Sequence, residues 1–214
     1  MNYLMIGATS FAIGFSGALM PGPLLGLTID VGIKKGAKGG LLLGLGHALL
    51  ELVTVVLLML GLKEFFTYPI VSGVIGIVGG LVLLLMGLDM FFSAIKNKIS
   101  LEDLKTAEHK YSWKKLIIKG VTVSISNPYF ILWWASIGMA LLVDSLKVGL
   151  VGVALVYIGH ILSDISWFTF VAFSMSKSRK LMSPKVYKGL IIGLGAFVVC
   201  FALYFINSGI QFIW

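Results

Sequence analysis

Two pairs of ionisable residues stand where such groups are expensive to keep. His47 and Glu51 lie four positions apart inside an apolar run from Gly39 to Leu62, and His160 and Asp164 repeat the spacing 113 residues later at both positions. Residues four apart share one face of a helix. A charge at the centre of a bilayer costs several kcal/mol, with estimates from about 2.5 kcal/mol upward, so these side chains should face a helix bundle's interior and pair. Three chemistries suit them. An imidazole beside a carboxylate can carry a proton near neutral pH. The same groups can bind the ammonium of an organic cation or zwitterion. Two imidazoles and two carboxylates can also hold a divalent metal. If the two segments cross antiparallel near the bilayer midplane, His47 is level with Asp164 and Glu51 with His160, which predicts one four-residue polar cluster. The plainer alternative is that each histidine bonds the acid on its own helix and clamps it, a task that serine or threonine could also perform.

The elements that must position these residues are membrane helices. Of the 214 residues, 58% are hydrophobic and 12% charged, with a mean hydropathy of +1.02. A soluble domain has about 45–50% and about 25%, so an all-α integral membrane protein is the class that fits. Six runs reach the roughly 20 apolar residues a span requires: Tyr3–Ile29, Gly39–Leu62, Phe66–Phe92, Leu116–Val143, Val148–Met175 and Tyr187–Phe212. Fifteen of the 17 basic residues fall in the first, third and fifth loops, and Lys63 and Lys147 alone occupy the second and fourth. That alternation puts loops one, three and five in the cytoplasm and both termini outside the cell membrane. Three spans per half then enter in opposite senses. With the 113-residue echo, this predicts two inverted three-helix repeats, residues 1–93 and 116–214, joined by a basic cytoplasmic loop at 94–115. The net charge of +8 is explained by those loops, so no nucleic-acid partner is expected.

Other candidates are backbone features. Pro21, Gly22 and Pro23 interrupt span one, and Asn127-Pro128 interrupts span four. Proline removes a donor and pushes the preceding residue out of helical geometry, so Met20, Gly22 and Asn127 are the expected breaks. Open backbone at membrane depth belongs against a cavity or another helix, where half-helix ends can hold a substrate carboxylate and Asn127 can bond the same ligand. A plain proline kink is the rival reading. Trp133 and Trp134 are too deep for an interfacial belt and could wall a cavity; Trp113, Phe212 and Trp214 suit interfacial anchors. Gly36, Gly40 and Gly44, Gly76 with Gly80, and Gly189 with Gly193 recur every four residues, as close helix packing requires. In the third loop, Ser100 with Asp103 resembles a capping box, so a short surface helix and a solvated linker are both open. The single cysteine, Cys200, excludes a two-thiol redox centre and is expected to be a small buried residue. The first run has no basic n-region and is too long for a signal peptide, so it is expected to remain as a span. No cofactor is called for. An intramembrane metalloenzyme is the least favoured class, because no His-Glu-x-x-His motif is present and no nucleophile stands beside a base.

The sequence resembles the LysE/RhtB family of amino-acid exporters. The resemblance is carried by Gly17-Ala18-Leu19-Met20-Pro21-Gly22-Pro23 in span one, by Gly32, Gly36, Gly40 and Gly44 leading into span two, by the acid at Glu51, by Gly61-Leu62, and by Asn127-Pro128 in span four. It implies a secondary transporter that exports an amino acid or related small metabolite, driven by a proton or ion gradient, often as a homodimer in the lipid bilayer. On that reading Glu51 and Asp164 are the coupling carboxylates, His47 and His160 their partners, and Pro21, Gly22, Pro23 and Asn127 the site for the substrate's backbone groups. Two departures stand out. Many members carry Asn after Pro-Gly-Pro where this chain has Leu24, and neither histidine is a general feature of the family. The wider superfamily includes exporters of divalent metals, for which His47, Glu51, His160 and Asp164 would be the ligands.

Overall fold

In the computed structural model, residues 2–20, 22–62, 68–96, 112–178 and 183–213 are described; Pro21, Trp214 and the third-loop segment around Ser100 and Asp103 lie outside them. Helix α1 spans Tyr3–Ala18, α2 Pro23–Lys35, α3 Ala37–Leu57 with a π-helical turn at Leu58–Leu62, and α4 Pro69–Ile95. Helix α5 spans Trp113–Ile125, α6 Pro128–Trp133, α7 Met139–Ser145, α8 Leu150–Ser178 and α9 Pro184–Ile213. A second π-helical turn, Trp134–Gly138, joins α6 to α7. Among the described residues five stretches are long and apolar enough to cross a membrane, and the α1–α2 pair, bent by 86°, makes six.

The polarity is inverted relative to a soluble protein. Leu4, Leu85 and Leu150 are each at least 70% exposed, whereas Ser10, Glu51, Ser124, Ser163 and Asp164 are at most 1% exposed. Only an apolar solvent makes that arrangement favourable.

The interruptions fall where the prolines require. Gly22 and Asn127 are both extended, and the proline after each occupies the first turn of a new helix, where its missing N–H is no loss. Span one is therefore two helices rather than one run from Tyr3 to Ile29. Span four begins as the separate helix α5, and its long crossing is Tyr129–Val148, displaced toward the C-terminus from the expected Leu116–Val143. Gly36 turns α2 into α3 at φ 65°, in the left-handed region that suits glycine.

Glycines set the packing. A Cβ on Gly46 would strike the backbone of Ile117 and Gly120 on α5; one on Gly159 would strike Gly7 and Phe11 on α1. Gly32 and Gly40 close on Ala172 of α8, and Gly76 and Gly87 on Gly209 and Gly195 of α9. The order of these contacts fixes direction: α3 runs antiparallel to α8, α4 antiparallel to α9, while α1 is parallel to α8 and α5 to α3. Helices α3 and α8 thus cross at the centre, and α4–α9 form an outer pair against α2 and α6. Two expectations are corrected. Gly189 and Gly193 meet nothing within 4 Å, so this pair packs no helix among the described residues. Cys200 is exposed on α9, because its face of that helix turns away from α4.

The Gly46–Gly120 contact should tolerate no side chain. Gly120→Ala is expected to cost about 1–3 kcal/mol through overpacking and lower the melting temperature of the purified protein in detergent. Gly193→Ala, with open space around it, is expected to leave that temperature unchanged or raise it slightly.

Candidate functional site

The crossing of α3 and α8 brings His47, Glu51, His160 and Asp164 together. Imidazole Nε2 of His160 donates to Glu51 Oε1 at 2.9 Å and lies 3.3 Å from Asp164 Oδ2; Nε2 of His47 lies 3.4 Å from Glu51 Oε1 and 3.9 Å from Asp164 Oδ2. The contacts therefore run across the two helices as well as along them, so the helix-clamp alternative does not describe this arrangement. Antiparallel crossing explains the cross-pairing: as numbers rise on α3 they fall on α8.

Ser124 of α5 takes part, and nothing in the spacing of the sequence indicates it. The Gly46–Gly120 contact draws α5 against α3 and leaves Ser124 Oγ 2.7 Å from His47 Nδ1. Ser124 Oγ also lies 2.7 Å from the Gly120 carbonyl. A hydroxyl has one hydrogen, so both short contacts are satisfied only if Ser124 donates to Gly120 and His47 Nδ1–H donates to Ser124. That tautomer aims the other nitrogen, Nε2, at the two carboxylates, where a proton must lie between nitrogen and oxygen to avoid opposed lone pairs.

The two tryptophans have roles beyond walls. Trp134 Nε1 donates to Glu51 Oε1 at 3.2 Å, and Trp133 Nε1 donates to Ser16 Oγ on α1 at 3.2 Å. Both rings contact His160, with centroid distances of 4.3 and 4.9 Å. Consecutive residues on an α-helix diverge; the π-helical turn that starts at Trp134 accompanies two neighbours facing one imidazole, as such turns often do at functional sites. Glu51 Oε1 thus receives two donors, while Glu51 Oε2, Asp164 Oδ2 and His160 Nδ1 are buried without a hydrogen-bond partner among the described residues.

A cavity of about 60 Å³ adjoins the cluster, lined also by Gly17, Met20, Gly22, Leu24, Leu25, Asn127, Phe130 and Phe201. Gly22 and Asn127 lie side by side in this lining: a Cβ on Gly22 would sit 3.7 Å from Asn127 Nδ2. Asn127 Oδ1 caps α6 by accepting from Tyr129 N at 3.2 Å, which leaves its amide nitrogen toward α2. Among the described residues no side chain caps the start of α2. Pro23 is buried one position inside that start. Two wider spaces, of about 500 and 420 Å³, lie at opposite ends of the α4–α9 pair. The first is lined by Asp30, Lys34, Asp89 and Lys119; the second is uncharged, with Tyr204, Ser208 and Gln211. Asp30 is buried there and paired with Lys34 at 2.6 Å.

A family model described as "LysE type translocator" matches residues 15–209. The chain belongs to the LysE type translocator family. It is a multi-pass membrane protein of that family, and the matched residues contain every member of the cluster and both helix breaks. A protein of Bacillus subtilis (strain 168) named "Putative amino acid efflux protein YcgF" is 28% identical over 200 residues, covering 93% of this chain and 94% of that protein. No solved structure matches the chain.

Ser124→Ala should strand His47 Nδ1–H without an acceptor. A loss of about 1–3 kcal/mol is expected, read as a lower melting temperature in detergent, with Ser124→Thr retaining most of the stability because its hydroxyl can make the same bonds.

Proposed function

We propose that the protein exports an amino acid or closely related small metabolite across the cell membrane in exchange for protons. The observation that carries this reading is the pair of buried carboxylate oxygens, Glu51 Oε2 and Asp164 Oδ2, that accept no hydrogen bond among the described residues, beside a cavity whose lining also carries the start of α2 and Asn127. An α-amino acid presents an ammonium and a carboxylate a few ångströms apart. The ammonium suits the two oxygens, and the carboxylate suits the first turn of the half-helix with its positive dipole end and Asn127 Nδ2. The name of the Bacillus subtilis relative points the same way.

Proton coupling follows from charge balance. Two buried carboxylates beside neutral imidazoles would leave two uncompensated charges in a low-dielectric setting, which is strongly unfavourable. Protons on the cluster offset that charge, and an arriving ammonium offsets it equally well. Proton and substrate therefore compete for the same carboxylates, as an exchanger needs. Residues 1–93 and 116–214 act as inverted repeats. Supporting this, the Gly46–Gly120 and Gly7–Gly159 contacts map onto each other by the same 113-residue shift that relates the histidines. The charged and uncharged spaces at either end of α4–α9 are the inner and outer approaches, with the basic loops in the cytoplasm and both termini outside. The outward glycines Gly189 and Gly193 are available for a homodimer contact in the bilayer.

A second reading keeps the cluster and changes the cargo to a divalent metal. Its support is that ligand atoms of His47, Glu51 and Asp164 lie within 4.8 Å of one another. Bonds of 2.0–2.1 Å in a tetrahedral site put ligand atoms roughly 3.4 Å apart, which the 3.9 Å His47–Asp164 separation exceeds. Amino-acid export is the better fit.

Purified protein in proteoliposomes should move amino acids against their gradient when a pH gradient is imposed. Glu51→Gln and Asp164→Asn should each reduce that coupled movement at least 100-fold. Stoichiometric transition metal in the purified protein, lost in Glu51→Gln, would favour the metal reading instead.

A further inference from the structure

Resting on the amino-acid reading, we propose that the substrate carries a small, uncharged side chain, and that charged side chains are rejected by the wall of the central cavity. Once an ammonium has taken Glu51 and Asp164 and a carboxylate has taken Asn127 and the start of α2, the polar groups left in the lining are largely engaged: His47 with Ser124, His160 and Trp134 with Glu51, and Trp133 with Ser16; most of the remaining lining is apolar. Met20, Leu25, Phe130 and Phe201 are what a substrate's side chain would meet. Among the described residues no lysine or arginine lines the cavity, and its two imidazoles already face Glu51, so a side-chain carboxylate finds no counter-ion of its own. Its acids are Glu51 and Asp164, both already engaged, so a side-chain ammonium or guanidinium finds no second anion. A charge buried without a partner costs far more than an apolar contact returns.

Size points the same way. The central space is about 60 Å³, against about 500 and 420 Å³ in the two approaches. Phe201 reaches the lining from α9, with its ring packed between Phe197 (tilted) and Phe205 (edge-on) at centroid distances of 4.9 and 5.6 Å, so its ring is braced against retreat. The approach that holds Asp30, Lys34, Asp89 and Lys119 can admit a charged amino acid; the narrow apolar wall beyond it is where discrimination occurs. Binding of the backbone groups is common to all amino acids, and the side-chain wall is what distinguishes them.

The test is exchange of labelled alanine by the full chain in phosphatidylethanolamine–phosphatidylglycerol proteoliposomes, with unlabelled competitors. Valine is expected to inhibit at a concentration at least tenfold lower than lysine, arginine or glutamate. Phe201→Ala should bring leucine and phenylalanine to within a few-fold of valine and leave lysine excluded. Equal or better inhibition by a charged amino acid would overturn the side-chain inference while leaving amino-acid export standing, as would a Phe201→Ala protein with unchanged size preference. Failure of every amino acid to bind or exchange would overturn both.

Discussion

Everything in this protein is arranged around the cost of keeping two carboxylates inside a membrane. Glu51 and Asp164 are 0% and 1% exposed, in a medium where an isolated charge is strongly disfavoured. Their presence demands donors, and the fold supplies them from three directions: imidazoles on both crossing helices, an indole from α6–α7 and a hydroxyl from α5 acting through His47. Each donor depends on a close helix approach. Gly46 against Gly120 sets the Ser124–His47 contact, and Gly14 gives room beside His160 Nδ1 and Ser163, where a Cβ would collide.

The same constraint explains the broken helices. Two stretches of backbone leave helical geometry at the level of the cluster, each followed by proline. Unpaired backbone groups in lipid are as unfavourable as unpaired side chains. They persist here because they face one cavity and each other rather than lipid. A substrate that brings one positive and one negative group answers both needs at once. On the proposed function, the incomplete satisfaction of Glu51, Asp164 and the start of α2 is what binding such a molecule would use.

Much of this was legible in the sequence because membranes impose period and polarity. The helix-spaced His47–Glu51 and His160–Asp164 pairs, the 113-residue shift and the alternation of basic loops were enough to place the cluster at an antiparallel crossing. The prolines were enough to place the breaks at Gly22 and Asn127. Ser124 was not legible: hydroxyl residues are ordinary in membrane helices, and its role arises from a glycine contact between segments 77 residues apart. The hydrogen bond of Trp134 was hidden for a related reason, since the π-helical turn that accompanies it leaves no mark in residue spacing. Gly189, Gly193 and Cys200 misled, because spacing identifies a small-residue face without saying whether a neighbour covers it.

The central claim is that proton and ammonium share one pair of carboxylates. Its most direct measurement is the release of protons when alanine or another amino acid binds the purified protein in weakly buffered detergent solution, followed by a pH indicator. Close to one proton released per amino acid bound, with release abolished in Glu51→Gln, is the predicted result. Saturable binding with no proton released would contradict the claim.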